Sequence, residues 1–274
     1  MKKILVLALL VFIPGVAVIA ATPLTESTFT EIIHEARVVI AADKSVVTPQ
    51  TNMVFHAPDR VRTGVASRVE MTAPDKTITR IGANTIFTFE TGGRDLLLEK
   101  GSLLFHAPAG VGGGTIRYRG TTAAVLGTTM ICVVLPDGSF KVMDLEGEVK
   151  VTLANGQFVV LKSGQMIVIP ADGNEFREME VFGLEKVLSR LLLVVGFSQP
   201  LASLPLIQTA TAEQIQAIAN GSLKFLVGFN QAVFGLDYTF RDMDPSLPHF
   251  YEMKDDTLMY VSPVQPGVGW PRYY

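Results

Sequence analysis

The residues of this 274-residue chain able to act as ligands, nucleophiles or acids are four histidines, one cysteine and a scatter of carboxylates. His34, His56, His106 and His249 form no His-x-His or His-x-x-x-His pair and no cluster with cysteine. Transition-metal sites draw on such spacing, so neither a metal nor any other cofactor is expected. His56 and His106 sit in matching tetrapeptides, Phe55–Pro58 and Phe105–Pro108. Equivalent corners could bring them together in a cupin-like metalloenzyme, or could simply be two similar strand ends. Asp137, Asp144, Glu146 and Glu148 are candidates for the carboxylate pair of a glycosidase. They fall at turns after strands, where solvated loop residues also fall. No Gly-x-Ser-x-Gly elbow presents a serine. Cys132 lies in the apolar run Met130–Val134 and reads as a small buried residue, with nothing beside it in sequence to lower its pKa. These patterns supply no catalytic residue, and the chain is read as not an enzyme.

Arg62, Arg68 and Arg80 recur through the strand-like stretch 61–89. They could line one outer face and meet Glu70 and Glu90 across strands, at about 0.2–1 kcal/mol per pair. The functional alternative is an arginine ladder for an anionic glycan or a protein partner. Gly110, Gly112, Gly113, Gly114 and Gly120 form a cluster that could cradle phosphate only if a helix followed. Strand-like sequence follows instead, in neither P-loop nor dinucleotide spacing, so the cluster reads as a flexible β-connection.

The elements that must position these residues are short. Between Met53 and Pro170, apolar runs of four to eight residues alternate with turn residues such as Asp75-Lys76, Asp137-Gly138 and Asn155-Gly156. That punctuation signals an all-β domain. Within Val65–Met71, apolar and polar residues alternate, giving one buried and one wet face. Phe29–Ile40 fits strand better than helix. A Leu-charge-Gly turn recurs at Leu98–Gly101, Leu145–Gly147 and Leu161–Gly164. Reuse of one kind of corner predicts a wound β architecture, either a β-roll or β-helix-like winding or a jelly-roll-like sandwich. Gly64, Gly82, Gly127, Gly147 and Gly164 are expected at corners that need positive φ or close backbone approach.

After Pro170 the period changes. Val181, Leu184, Val187, Leu188, Leu191, Leu192 and Val195 predict an amphipathic helix over 180–197. Pro200 and Pro205 break the chain. Thr211 with Gln214 forms a capping box that opens a second helix, and Asn220-Gly221 stops it. From Arg241 onward, five prolines, acidic residues and scattered tyrosines predict an extended tail, disordered or draped over the surface, whose aromatics could also be contact points for a partner.

At the other end, Lys2 and Lys3, an apolar run Ile4–Ile13, Pro14-Gly15 and small residues to Ala21 form the pattern of a secretory signal peptide. Its removal takes the net charge from −3 to −5. A mildly acidic chain argues against a nucleic-acid partner. Arg190, Gln199 and two prolines argue against a membrane span over 188–207. The expected divisions are a signal at 1–21, an all-β domain at 22–175, a helical appendage at 176–235 and the tail at 236–274.

Three blocks of sequence together resemble the FecR family. They are Val61–Gly64 with Ser67–Glu70 and Thr79–Thr85; Ala124–Thr129; and Val142–Val149 with Gly164-Gln165. The blocks stand in the family's order, and the resemblance covers about Val38 to Ile169. It implies a wound all-β domain outside the cytoplasmic membrane, and it supplies no catalytic residue. The family's best-known member relays a signal from an outer-membrane iron-citrate receptor to a cytoplasmic sigma factor. That member has a cytoplasmic part and a membrane helix before its β domain. This chain departs there, opening on a signal-like segment. The expectation is an exported periplasmic or extracellular module that binds an envelope protein or glycan, or serves structurally. The alternative is the periplasmic part of a signal relay.

Overall fold

A computed structural model describes residues 22–224 and 226–237, and two further strands at 250–254 and 257–261. The expected signal segment and most of the expected tail lie outside the described residues.

The chain is mostly β, with short helices after the strands, and it is wound between two layers. Strands are numbered in chain order. The first layer runs β4 (Val54–His56), β1 (Glu26–Ile33), β6 (Arg68–Thr72), β7 (Ile78–Ile81), β9 (Asp95–Ala107), β12 (Thr128–Val134), β13 (Phe140–Glu146), β16 (Gln165–Ile169) and β17 (Glu180–Val181). The second runs β3 (Val46–Val47), β2 (Ala36–Val39), β5 (Arg60–Thr63), β8 (Ile86–Phe89), β9 again, β10 (Gly114–Tyr118), β11 (Thr121–Val125), β14 (Glu148–Thr152) and β15 (Phe158–Lys162). The 13-residue β9 belongs to both layers. Its first half pairs with β8 and β10, and its second half with β7 and β12.

The recurring corners are where the chain changes layer. The turns around Gly64, Gly127 and Gly164 carry it from the second layer to the first, and those around Gly82 and Gly147 carry it back. Gly101 marks the crossing inside β9. There φ is +85°, and a Cβ would lie 2.6 Å from Thr85 Cα, so the position admits only glycine without rearrangement. Gly82 is a corner of the other kind, with ordinary φ, where a Cβ would lie 2.2 Å from Ser102 Oγ. The glycine cluster is a close crossover at Gly113, where a Cβ would meet Val125 O at 1.7 Å. It turns the chain from β9 into the parallel β10.

Each strand sends alternate residues inward. Phe29, Phe55, Phe87, Phe89, Phe105, Phe140 and Cys132 meet in the core between the layers. Phe55, Phe87 and Phe89 stack or meet edge to face at 5.1–6.2 Å between centroids. A second apolar cluster lies outside the first layer, where Leu104, Ile131, Val133, Met143 and Leu145 face α1 (Leu184–Arg190), α2 (Leu192–Val195), α3 (Leu204–Ala219) and α4 (Phe229–Val233).

Two expectations after Pro170 are corrected. The single helix over 180–197 is broken: Glu180-Val181 pairs as β17, and Leu191 is extended at ψ 123° between α1 and α2. The break sets the Leu193 and Val194 carbonyls towards Arg80. Thr211 does not open the second helix. α3 starts at Leu204 with proline in its first turn, where the missing N–H costs nothing, and Thr211 donates from mid-helix to Ile207 O. Where the tail is described, it forms an antiparallel pair, β18 (Phe250–Lys254) with β19 (Thr257–Val261).

Candidate functional site

The two outer faces of the winding differ. On the covered first layer, polar side chains are spent on holding the helices. Arg80 is fully buried, and its Nε donates to Glu70 Oε2 at 2.8 Å. Its Nη1 donates to Leu193 O and Val194 O, and its Nη2 to Gln199 O. The Phe197 ring lies 4.4 Å from its guanidinium carbon. A guanidinium meeting the carbonyls that end a short helix is favoured by the helix dipole as well as by hydrogen bonding. Lys141 reaches from the same face to Ala232 O at 2.8 Å and to Phe234 O. Burial pulls its ammonium down to about 7.

Beside them, Thr129 donates to Glu146 Oε1 at 2.7 Å, lies 3.0 Å from His106 Nδ1, and lies 2.7 Å from the Ser203 hydroxyl. Burial raises the Glu146 pKa and lowers that of His106, so the imidazole is neutral in the physiological range. Every member of this cluster is buried, and it ties the start of α3 to the sheet.

Asp144 faces the inner core with neither carboxylate oxygen hydrogen-bonded. Burial first, and the Glu146 charge second, push it up to about 8. The other candidate carboxylates are dispersed. Asp137 accepts from Ser139 N in its turn, and Glu148 is exposed on the second layer. His56 and His106 are kept apart by β1, β6 and β7. Among the described residues, no group of three His, Cys, Asp or Glu could hold a metal ion. Cys132 is buried, which raises its thiol pKa and removes it as a nucleophile.

The arginines expected on one outer face are divided between environments. Arg80 meets Glu70 across strands but lies beneath the helices. Arg68 is half-buried, its Nε against Gly196. Arg62 alone is exposed, on the second layer, directly opposite Arg37 in register. Glu90 pairs with Arg117, and Arg60 with Glu99. Sequence alternation told inside from outside on each strand, but not which outside would later be covered.

Among the described residues, no helix covers the second layer. Its outer face holds a groove of about 920 Å³ that crosses five strands, from Asp95 through Thr115, Ala124 and Lys150 to Val160. Thr115 and Ala124 make a low floor. Pro23, Gly92, Gly112 and Gly127 shape the end where the N-terminal segment enters. Leu126 stands 84% exposed on the rim, and Lys150 Nζ lies 4.2 Å from the centroid of the exposed Phe158 ring. Small side chains lie under an apolar rim, with the charged Arg94, Asp95, Glu148 and Lys150 among the lining residues. Neither the groove nor the Lys150–Phe158 pair was singled out by sequence reading. Their signal lay in the small residues at the outward positions of β10 and β11.

Among the described residues, no helix is long and apolar enough to cross a membrane. Comparison with curated proteins gives no match. Two crystal structures, each of a proposed anti-sigma factor from Parabacteroides distasonis ATCC 8503, are similar to this chain. One, at 16% identity and a TM-score of 0.39, covers 47% of this chain and 71% of its own. The other, at 15% identity and a TM-score of 0.43, covers 75% of this chain and 99% of its own. The model of the FecR protein family matches residues 59–150. That span runs from β5 to β14, through five of the layer-changing corners, and over it this chain is similar to that family.

Proposed function

We propose that this protein is an exported, non-catalytic binding module of the cell envelope, and that the bare outer face of its second layer receives the partner. One observation carries the reading. The first layer is closed by helices pinned through Arg80 and Lys141, while the opposite face is left open with a groove across five strands. The similarity to the FecR family and the signal-like N-terminal pattern support an envelope location. The partner is an envelope protein or a glycan, held by main chain, small side chains and the exposed basic residues Lys150, Arg62 and Arg37. Nucleic acid does not suit a chain of net charge −3.

The test is site-specific photo-crosslinking in intact cells. A photo-reactive residue at Ala124, on the groove floor, should give a discrete adduct, and one at the exposed Lys186 of α1 should not. Thr115→Glu, which raises a charge from the floor, should abolish the Ala124 adduct. Equal labelling from both positions, or an Ala124 adduct indifferent to Thr115→Glu, would refute the reading.

The family match favours a second reading, the periplasmic part of a signal relay. That role needs residues 1–21 retained as an anchor. A mature N-terminus near Ala21 removes it.

A further inference from the structure

β15 is an open edge. It pairs with β14 on one side, and no strand among the described residues pairs with the other. The bond from Leu153 N to Gln157 O sets the phase of the β14–β15 hairpin. Hydrogen-bonded pairs therefore fall at Val151–Val159 and Val149–Leu161, and the main-chain N–H and C=O groups of Phe158 and Val160 point away from β14. The edge is also apolar on its outer side, with Phe158 57% and Val160 41% exposed. An edge of this kind is ordinarily blocked by a charge, a proline or a bulge, and Phe158–Leu161 contains none.

The chain carries its own strands in search of a sheet. Among the described residues, β18 and β19 pair only with each other, and an isolated two-stranded ribbon is marginal in water. Their register places Tyr251, Met253, Leu258 and Tyr260 on one face of the ribbon. Asp255 and Asp256 stand between the two strands in sequence, and β18 carries Glu252, while the β15 edge is flanked by the exposed Lys150 and Lys162.

The reach is sufficient. Asp237 lines the same cleft as Arg119, and Gly120 packs against Ala154 in the turn that leads into β15. Residues 238–249 join Asp237 to β18, and 12 residues span up to about 40 Å when extended.

We propose that the β18–β19 hairpin adds to the free edge of β15 within the same molecule, extending the second layer by main-chain pairing and lengthening the wall of the groove at Val160. The proposal stands on the edge and the hairpin, independently of what the groove binds.

Hydrogen exchange on the full-length protein tests it, read at the Phe158 and Val160 amides. Exchange should be slowed by roughly tenfold or more relative to the same protein carrying Met253→Pro and Leu258→Pro, which remove the hairpin and leave the β layers untouched. The protection should not change with protein concentration. A second full-length variant, Val160→Lys, should speed proteolysis within residues 250–261 while leaving global stability unchanged. Fast exchange at both amides in the unaltered protein would overturn the proposal. So would protection that survives the two prolines, or protection that grows with concentration, since the edge would then be covered by something else or by a second copy.

Discussion

Replacing Asp144 with asparagine removes an ionisable group from the core without changing its shape, and the consequence can be worked out with its sign. The carboxyl is held up to about 8 by burial and by the neighbouring Glu146 charge, against an ordinary value of 3.8. Between those two pH values the folded protein binds a proton that the unfolded chain has released, so this group makes stability fall as pH rises and then level off above about 8. At 1.36 kcal/mol per pH unit, keeping the carboxyl neutral at pH 7 costs on the order of 4 kcal/mol. Asparagine carries no such cost, but it brings an amide that finds no better partners than the carboxyl did, at about 1–3 kcal/mol. The net expectation at pH 7 is a variant more stable by on the order of 1–3 kcal/mol. The sharper quantity is the change with pH, because the cost of the unpaired amide does not titrate. The advantage of the variant at pH 7 should exceed that at pH 5 by on the order of 3 kcal/mol, from two pH units. Glu146 and His106 also titrate with shifted values, but both proteins contain them, so the difference isolates Asp144. Urea unfolding of both proteins at pH 5, 6, 7 and 8 measures it. A constant difference across the series, or a variant that loses ground as pH rises, would refute the reasoning.

Two further outcomes follow from the packing. Arg80→Met should cost about 3–5 kcal/mol, because it strands the buried Glu70 and three backbone carbonyls together; limited proteolysis should then cut within 184–233 before the β layers, and a loss below about 1 kcal/mol would show a merely surface-like pair. Gly101→Ala should cost on the order of 3 kcal/mol in thermal or urea unfolding, since its Cβ would strike the Thr85 backbone at a φ of +85°, whereas Gly156→Ala, at φ +87° with nothing within 4 Å, should cost about 1 kcal/mol; equal losses would remove the steric argument.

Part of this molecule is legible in its sequence because the information is local. Turn residues mark strand ends, and the Leu-charge-Gly corners announce a chain that repeatedly changes layer. Which side of a strand faces inward is also local, and alternation reports it. What covers the other side is not. Arg80 alternates as an outward residue should, and only helices more than a hundred residues later turn that outside into an interior. Those helices are misread for the same reason in reverse. The apolar spacing over 180–197 is compatible with one helix, but carbonyls that meet Arg80 fix a break at Leu191 that no periodicity records. Thr211 and Gln214 imitate a cap while standing in mid-helix, because Pro205 sets the start and Gln214 is taken by Phe182 O and Leu184 N. The groove and the open edge are legible only once the strand order is known, since they depend on which strand comes last.

The pairing of strands three apart in sequence recurs at β1–β4, β2–β5, β5–β8, β9–β12, β11–β14 and β13–β16. Each newly made hairpin therefore finds its partner among strands already in place, a few dozen residues behind it. Such a winding can grow in one direction, from the N-terminus onward, without waiting for distant sequence, so the loop-closure entropy at each step stays small. A chain delivered end-first, by a ribosome or through a translocation pore, could settle turn by turn as it emerges. The stretch made last in the second layer is β15, and it is there that the growing end of the sheet remains.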